Sequence, residues 1–302
     1  MRKRIITGTG IVILLVGLFL AKMFWTTTVV TTFITDKPVT AGMLVFDLAL
    51  LVMAWIGCFE MVRAFGERMI LTEKIVAMCF PPVVFAVASF IGVVYTFIVV
   101  SLYVLLTLAL FVFAFKEATL ESVALTLLCL FYPTGLLLTL VAVNSLAKFE
   151  GLLIVFVTAP VCDTMAYFVG SALKGKKLCP EISPNKTISG SIGGIVGGML
   201  GGVATYFLAR WFYTCGAIEG SILSCGYVWL DVVIFALSGA VFAVLTEIGD
   251  LSESVIKRKL GIKDMGDILP GHGGMMDRID GLLFVSPVSA LIFCVILPQF
   301  II

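Results

Sequence analysis

Six carboxylates and five basic side chains fall between Asp250 and Asp280, in a chain of 302 residues with only 19 acids and 20 bases. The segment from Glu247, EIGDLSESVIKRKLGIKDMGDILPGHGGMMDRID, combines two kinds of group that phosphate chemistry needs. Hard divalent cations such as Mg²⁺ take carboxylate oxygens together with substrate phosphates. Lysine and arginine stabilise the charge of a pyrophosphate. Helical spacing places Asp250, Ser254, Lys257 and Arg258 at i, i+4, i+7 and i+8, hence on one face. That helix must stop near Gly261, because LPGHGG holds a proline and three glycines and favours a turn. Helix resumes near Met275, which puts Asp277 and Asp280 one turn apart at its start, where negative charge is favoured. Carboxylates from the end of one helix and the start of the next could then converge on one ion. The competing reading is a solvated basic loop with mutually paired charges. Such a loop needs neither acids at both helix junctions nor a histidine among glycines.

That histidine, His272, is the only one in the chain. A His-rich zinc site is therefore excluded, while a phosphate contact, proton donation and a structural hydrogen bond stay open. Upstream, Asp163 lies three residues after Pro160 inside an apolar run. A charge at membrane depth is costly and points to a polar cavity or a partner. The SPNKT stretch, residues 183–187, precedes another helix. Lys186 with the hydroxyls of Ser183 and Thr187 beside a helix N-terminus suits an anionic phosphate; a solvated basic loop is the plainer alternative. Gly190, Gly194, Gly198 and Gly202, with Gly193, Gly197 and Gly201 beside them, form a helix face without side chains. No Gly-Lys-Ser or Gly-Lys-Thr follows, so this is a close-packing face rather than a phosphate loop. Glu60, in GCFEMVRAF, is expected to pair with Arg63 one turn on.

These residues must be positioned by helices in lipid. Mean hydropathy is +1.16 and 13% of residues are charged, about half the usual share for soluble domains. Apolar runs of about 20 residues, long enough to cross a bilayer, occur at roughly 5–22, 41–64, 75–93, 95–115, 120–143, 151–173, 188–213, 228–249 and 275–300. Between the third and fourth only Gly92 and Tyr95 interrupt the run. The expected fold is all-α, a polytopic membrane protein of about nine transmembrane helices with a cytoplasmic N-terminus. Arg2, Lys3 and Arg4 mark the inside. So do the even-numbered connections, with Arg63, Arg68 and Lys74, then Lys116, then Lys174, Lys176, Lys177 and Lys186, then Lys257 to Lys263. The first run reads as an uncleaved helix rather than a signal peptide. Residues 1–149 read as scaffold helices and 150–302 as the chemically loaded part, with connections at 174–187 and 250–276, all in one membrane domain. No CxxC spacing occurs, and Cys215 and Cys225, sharing an outer connection, could form a disulfide but read rather as two thiols.

The 27 positions from Ser254 to Asp280 resemble the signature of the phosphatidate cytidylyltransferase family, also called CDP-diacylglycerol synthases: S-x-[apolar]-K-R-x4-K-D-x-[small]-x2-[apolar]-P-x-H-G-G-[apolar]-x-D-R-[apolar]-D. Ser254, Lys257, Arg258, Lys263, Asp264, Gly266, Leu269, Pro270, His272, Gly273, Gly274, Asp277, Arg278 and Asp280 fit it in register. GDLSES, DTMAYFVG and SPNKT are also similar to family segments, so the likeness covers about 150–284. Ser189 stands where family members often carry Glu. The resemblance implies transfer of CMP from CTP to phosphatidic acid, giving CDP-diacylglycerol and pyrophosphate, with Mg²⁺ and a monovalent cation such as K⁺ as a candidate companion. By that likeness Asp250 and Asp277 are metal ligands, and Lys257, Arg258, Lys263 and Arg278 hold phosphates. Asp264 and Asp280 position them or support the metal, His272 assists the chemistry, and Asp163, Ser183, Lys186, Thr187 and Ser254 meet nucleotide or lipid. The implied partners are CTP, phosphatidic acid and membrane lipids, with no nucleic acid; the glycine face would permit a homodimer. The implied location is the cell membrane with the site at the cytoplasmic face.

One rival differs in class and two are other lipid enzymes, of which a polyprenol or lipid kinase with a related membrane core would not explain the complete signature. A transporter or flippase would spread polar residues through several spans and show an internal repeat, and neither is found. A CDP-alcohol phosphotransferase resembles D-G-x2-A-R-x8-G-x3-D-x3-D, which this chain lacks.

Overall fold

A computed structural model describes residues 2–25, 28–31, 39–218, 222–271 and 273–299. Among them are nine helices long and apolar enough to cross a membrane, spanning 7–24, 41–68, 71–90, 94–113, 120–146, 149–173, 188–214, 228–260 and 276–299. The chain is a multi-pass membrane protein. It divides into two compact units, residues 1–145 with 262–279, and 146–261 with 280–302.

The first unit begins with α1 (Arg2–Phe24). β1 (Val29–Thr31) pairs antiparallel with β2 (Val39–Thr40), and α2 (Ala41–Phe65) follows, its N-terminus capped by the Thr40 hydroxyl, which accepts from Met43 N. α3 (Leu71–Phe90) and α4 (Val93–Phe113) are separated by only Ile91 and Gly92. Gly92 takes φ 120, a conformation open to glycine, so the weak break in the apolar run is a true turn. α5 (Leu120–Cys129) passes through a π turn at Leu130–Gly135 into α6 (Leu136–Leu146). Pro133 sits in that wider turn, where its missing N–H costs less than in an α-helix.

α2 buries Phe46, Leu50, Ala54, Cys58 and Met61, while Leu48, Val52, Trp55 and Phe59 are exposed. Both faces are apolar because lipid is no more polar than the core. Buried polar groups hold α1, α2, α3 and α6 together. Lys22 Nζ donates to Asn144 O at 2.9 Å and also to the Asn144 side-chain oxygen. Asn144 Nδ2 donates to Asp47 Oδ1 at 2.7 Å, and Ser89 Oγ to Asp47 Oδ2 at 2.8 Å.

The second unit contains α7 (Phe149–Leu173), a hairpin of β3 (Lys177–Cys179) and β4 (Ser183–Thr187), α8 (Ile188–Thr214), α9 (Val228–Leu260) and most of α10 (Met276–Ala290). The glycine face of α8 has two sides. A Cβ on Gly193 or Gly197 would press on Val169 or Met165 of α7. One on Gly198 or Gly202 would run into backbone atoms of Gly239 or Phe235 on α9. The glycines thus let α8 lie tightly between two neighbours. At the other end of these helices Glu150 Oε2 accepts from Tyr213 OH at 3.0 Å and Glu150 Oε1 from Leu223 N. Asp231 accepts from Ser224 Oγ and Cys225 N at 2.6 and 2.8 Å, so the 222–226 connection is pinned. All eight cysteines are free thiols, Cys215 and Cys225 included.

Candidate active site

In the second unit α9 runs without a break past Asp250 to Leu260 and ends at Gly261, which adopts the left-handed conformation with φ 71. The helix that the spacing of Asp250, Ser254, Lys257 and Arg258 implies is therefore present. α10 crosses α9 at two glycines: a Cβ on Gly249 would strike the Asp280 carbonyl, and one on Gly281 would lie 2.6 Å from Thr246 Cγ2. This contact brings the carboxylates beside the two glycines together. Oxygens of Asp250, Glu253 and Asp280 lie within 4.8 Å of one another. Lys186, delivered by β4, pairs with Asp250 at 2.5 Å, and Lys257 pairs with Glu253 at 2.8 Å. The Lys257–Glu253 pair is deep, with side chains 13% and 0% exposed.

Like charges at this separation repel by about 3 kcal/mol per pair at an effective dielectric near 20. Three carboxylates against two lysines leave the cluster short of positive charge. The donors are all carboxylate oxygen, a set that fits a hard divalent cation and not a soft one. Glu253 is not among the sequence-derived candidates, although its i+3 relation to Asp250 places it on the same face.

The hairpin around Lys186 is also held in place. Thr187 Oγ1 accepts from Gly190 N at 3.1 Å and so caps α8, and it lies 3.2 Å from Ser189 Oγ. Arg258 Nε donates to Ile182 O at 3.4 Å, tying the end of α9 to the hairpin. Ser183 opens β4 and Ser254 lies one turn beyond Asp250 on α9. Asp163 lies on α7 with its side chain exposed.

In the first unit, residues 262–279 form a compact loop leading into α10. The turn is as the glycines demand, with Gly271 and Gly273 at φ 80 and 81, and Leu269 N donates to Gly273 O. Asp277 Oδ2 accepts from Met265 N at 3.1 Å and Gly274 N at 2.9 Å, closing the loop on itself. Lys263, Asp264, Asp267 and Arg278 line a cavity of about 630 Å³ in this loop. His272 lies outside the described residues.

Glu60 does not pair with Arg63. Its oxygens accept from Met275 N and Met276 N, each at 2.9 Å, while Arg63 reaches Asp267 at 3.3 Å. The local i, i+3 pairing loses because two backbone donors at a helix N-terminus have no partner within the helix, and a buried carboxylate satisfies both.

A sequence model of the cytidylyltransferase family matches residues 23–296. The chain belongs to the cytidylyltransferase family. It is 42% identical over 125 residues to a phosphatidate cytidylyltransferase of Bacillus subtilis, covering 41% of this chain and 40% of that one. Over 141 residues it is 37% identical to that of Thermotoga maritima, covering 47% and 48%, and over 156 residues 40% identical to that of Brucella melitensis, covering 51% of each. The chain thus spans about half the length of the curated relatives it matches.

Proposed function

We propose that this protein is a phosphatidate cytidylyltransferase of the cell membrane, joining CTP to phosphatidic acid to give CDP-diacylglycerol and pyrophosphate. The observation that carries the proposal is the cluster of Asp250, Glu253 and Asp280 with Lys186 and Lys257 against it. Membership of the cytidylyltransferase family and the relatives' names support it.

Asp250, Glu253 and Asp280 would hold a divalent cation such as Mg²⁺. When bound, that ion supplies charge stabilisation for a phosphoryl group under attack and for its leaving group. Lys186 and Lys257, the basic groups at the cluster, take phosphate oxygens, and Arg258 keeps the hairpin that carries Lys186 in place. Lys263 and Arg278 face a cavity large enough for a polyphosphate and contribute cations to it. Asp277, a metal ligand by the resemblance, in this proposal instead holds the loop closed through two backbone amides. Phosphatidate is already anionic near pH 7, so one of its phosphate oxygens attacks the α-phosphorus of CTP without a strong general base. The new P–O bond forms as the bond to the β-phosphate oxygen breaks, and pyrophosphate leaves. The basic connections at 174–186 and 257–263 support a site at the cytoplasmic face.

The test is to supply purified protein in detergent with phosphatidate, α-labelled CTP and Mg²⁺, beside Glu253→Gln. Label should enter the lipid fraction with one pyrophosphate released per lipid formed, and the variant should lose nearly all of this while remaining folded. A folded parent that transfers no label from CTP in the presence of phosphatidate and Mg²⁺ contradicts the proposal.

A further inference from the structure

Glu60 is 1% exposed and comes from α2, in the half of the chain that reads as plain scaffold. Both its oxygens are used by the loop: Oε1 accepts from Met275 N and Oε2 from Met276 N, each at 2.9 Å. The loop is in turn shaped to admit this carboxylate. The three atoms nearest a Cβ placed on Gly266 all belong to Glu60, and a Cβ on Gly274 would lie 2.5 Å from Glu60 Oε2. Gly266 has no positive φ, so space rather than backbone conformation demands glycine there. One helical turn earlier, a Cβ on Gly57 would press on Met276 Sδ at 2.9 Å. Thr7 Oγ1 of α1 adds a bond to Pro270 O at 3.0 Å.

We propose that Glu60 is a positioning residue for the phosphate-handling loop, setting Lys263, Asp277 and Arg278 by capping the N-terminus of α10 from outside the loop. The proposal rests on the cytidylyltransferase reading given above. A carboxylate at a helix N-terminus makes charge-assisted bonds and meets the positive end of the helix dipole. Met275 N and Met276 N go to Glu60 and Gly274 N goes to Asp277. The amides that could have bound a substrate phosphate at this terminus are therefore filled by the protein's own carboxylates. Phosphate is left to the side chains of Lys263 and Arg278, whose placement depends on the cap. Asp277 completes the chain of dependence, because the residue next to the capped amides also binds Met265 N, at the end of the loop that carries Lys263.

The experiment compares parent, Glu60→Gln, Glu60→Ala, Gly266→Ala and the Glu60→Ala/Gly266→Ala double variant, all full-length in detergent. Initial rates are taken against CTP and against phosphatidate, and amide exchange is followed over residues 274–279. Glu60→Gln keeps the shape but turns an NH₂ toward a backbone N–H. It should lower kcat/KM for CTP about 10- to 100-fold, leave KM for phosphatidate unchanged, and lose exchange protection at Met275 and Met276. Gly266→Ala should impair the parent and add nothing in the Glu60→Ala background, where the methyl group has room. Retained protection with parent-like kinetics in Glu60→Gln overturns the proposal. So do additive losses in the double variant, or equal losses for both substrates that follow a fall in melting temperature. If the parent makes no lipid product from CTP, the cytidylyltransferase reading fails, and the exchange data alone then decide whether Glu60 caps α10.

Discussion

Replacing Gly249 with alanine puts a methyl group into the backbone of α10. At its ideal position that carbon would sit 3.0 Å from both the Asp280 carbonyl carbon and Gly281 Cα, and nearer still to the Asp280 oxygen. Carbon atoms pack at about 3.5–4.0 Å, and backbone cannot swing aside as a long side chain can. α9 and α10 must therefore separate by about 1 Å at the level of Asp250 and Asp280. Overpacking of this kind costs about 1–3 kcal/mol of stability, which a protein of this size survives. The carboxylate cluster suffers more, since a misplacement of about 1 Å costs on the order of 100-fold in rate. Gly201→Ala is the matched control, because its Cβ would lie 3.3 Å from Thr158 Cα and needs only a few tenths of an ångström. The assay is the initial rate of CDP-diacylglycerol formation with a melting temperature for each variant. Gly249→Ala should fall about 100-fold while Gly201→Ala stays within a few-fold of the parent. A fully active Gly249→Ala would refute the claim that the glycine crossing sets the cluster's geometry.

Lys257→Met leaves the fully buried Glu253 among acids without its lysine, a loss of about 3 kcal/mol; the melting temperature should fall in EDTA and recover with added Mg²⁺, and a melting temperature indifferent to Mg²⁺ would count against a cation site. Glu150→Ala frees Leu223 N and Tyr213 OH and should lower stability by about 2 kcal/mol without changing KM for CTP, read by thermal melting and kinetics together. Asn144→Leu removes the bridge between Lys22 and Asp47 and should cost about 3 kcal/mol, seen as a lower melting temperature in detergent with the CTP dependence intact.

The nine spans could be read from the chain because lipid demands long apolar helices and punishes anything else. Gly261 and the LPGHGG turn could be read as well, since their backbone requirements are local. What packs against what could not. In a soluble helix an apolar stripe names the buried face, but on α2 Phe46 and Leu48 look alike although one is core and the other exposed. Only the glycines of α8 announced a contact, and even they did not tell which side meets α7 and which α9. Within the site, the charged residues of α9 are recognisable by spacing, but Glu253 reads in sequence as an ordinary i, i+4 partner of Lys257 until the fold brings Asp280 beside it. Glu60 was assigned to its nearest cation. Its true partners lie 215 and 216 residues away, a distance over which no periodic pattern carries information.

The most direct measurement is the Mg²⁺ dependence of the CTP- and phosphatidate-dependent rate for the parent, Glu253→Gln and Asp280→Asn. If the three carboxylates hold the cation, each variant should need at least about ten-fold more Mg²⁺ for half-maximal rate, with the fold unchanged. Variants that follow the parent's Mg²⁺ curve at full rate would show that the cluster does not bind the catalytic cation.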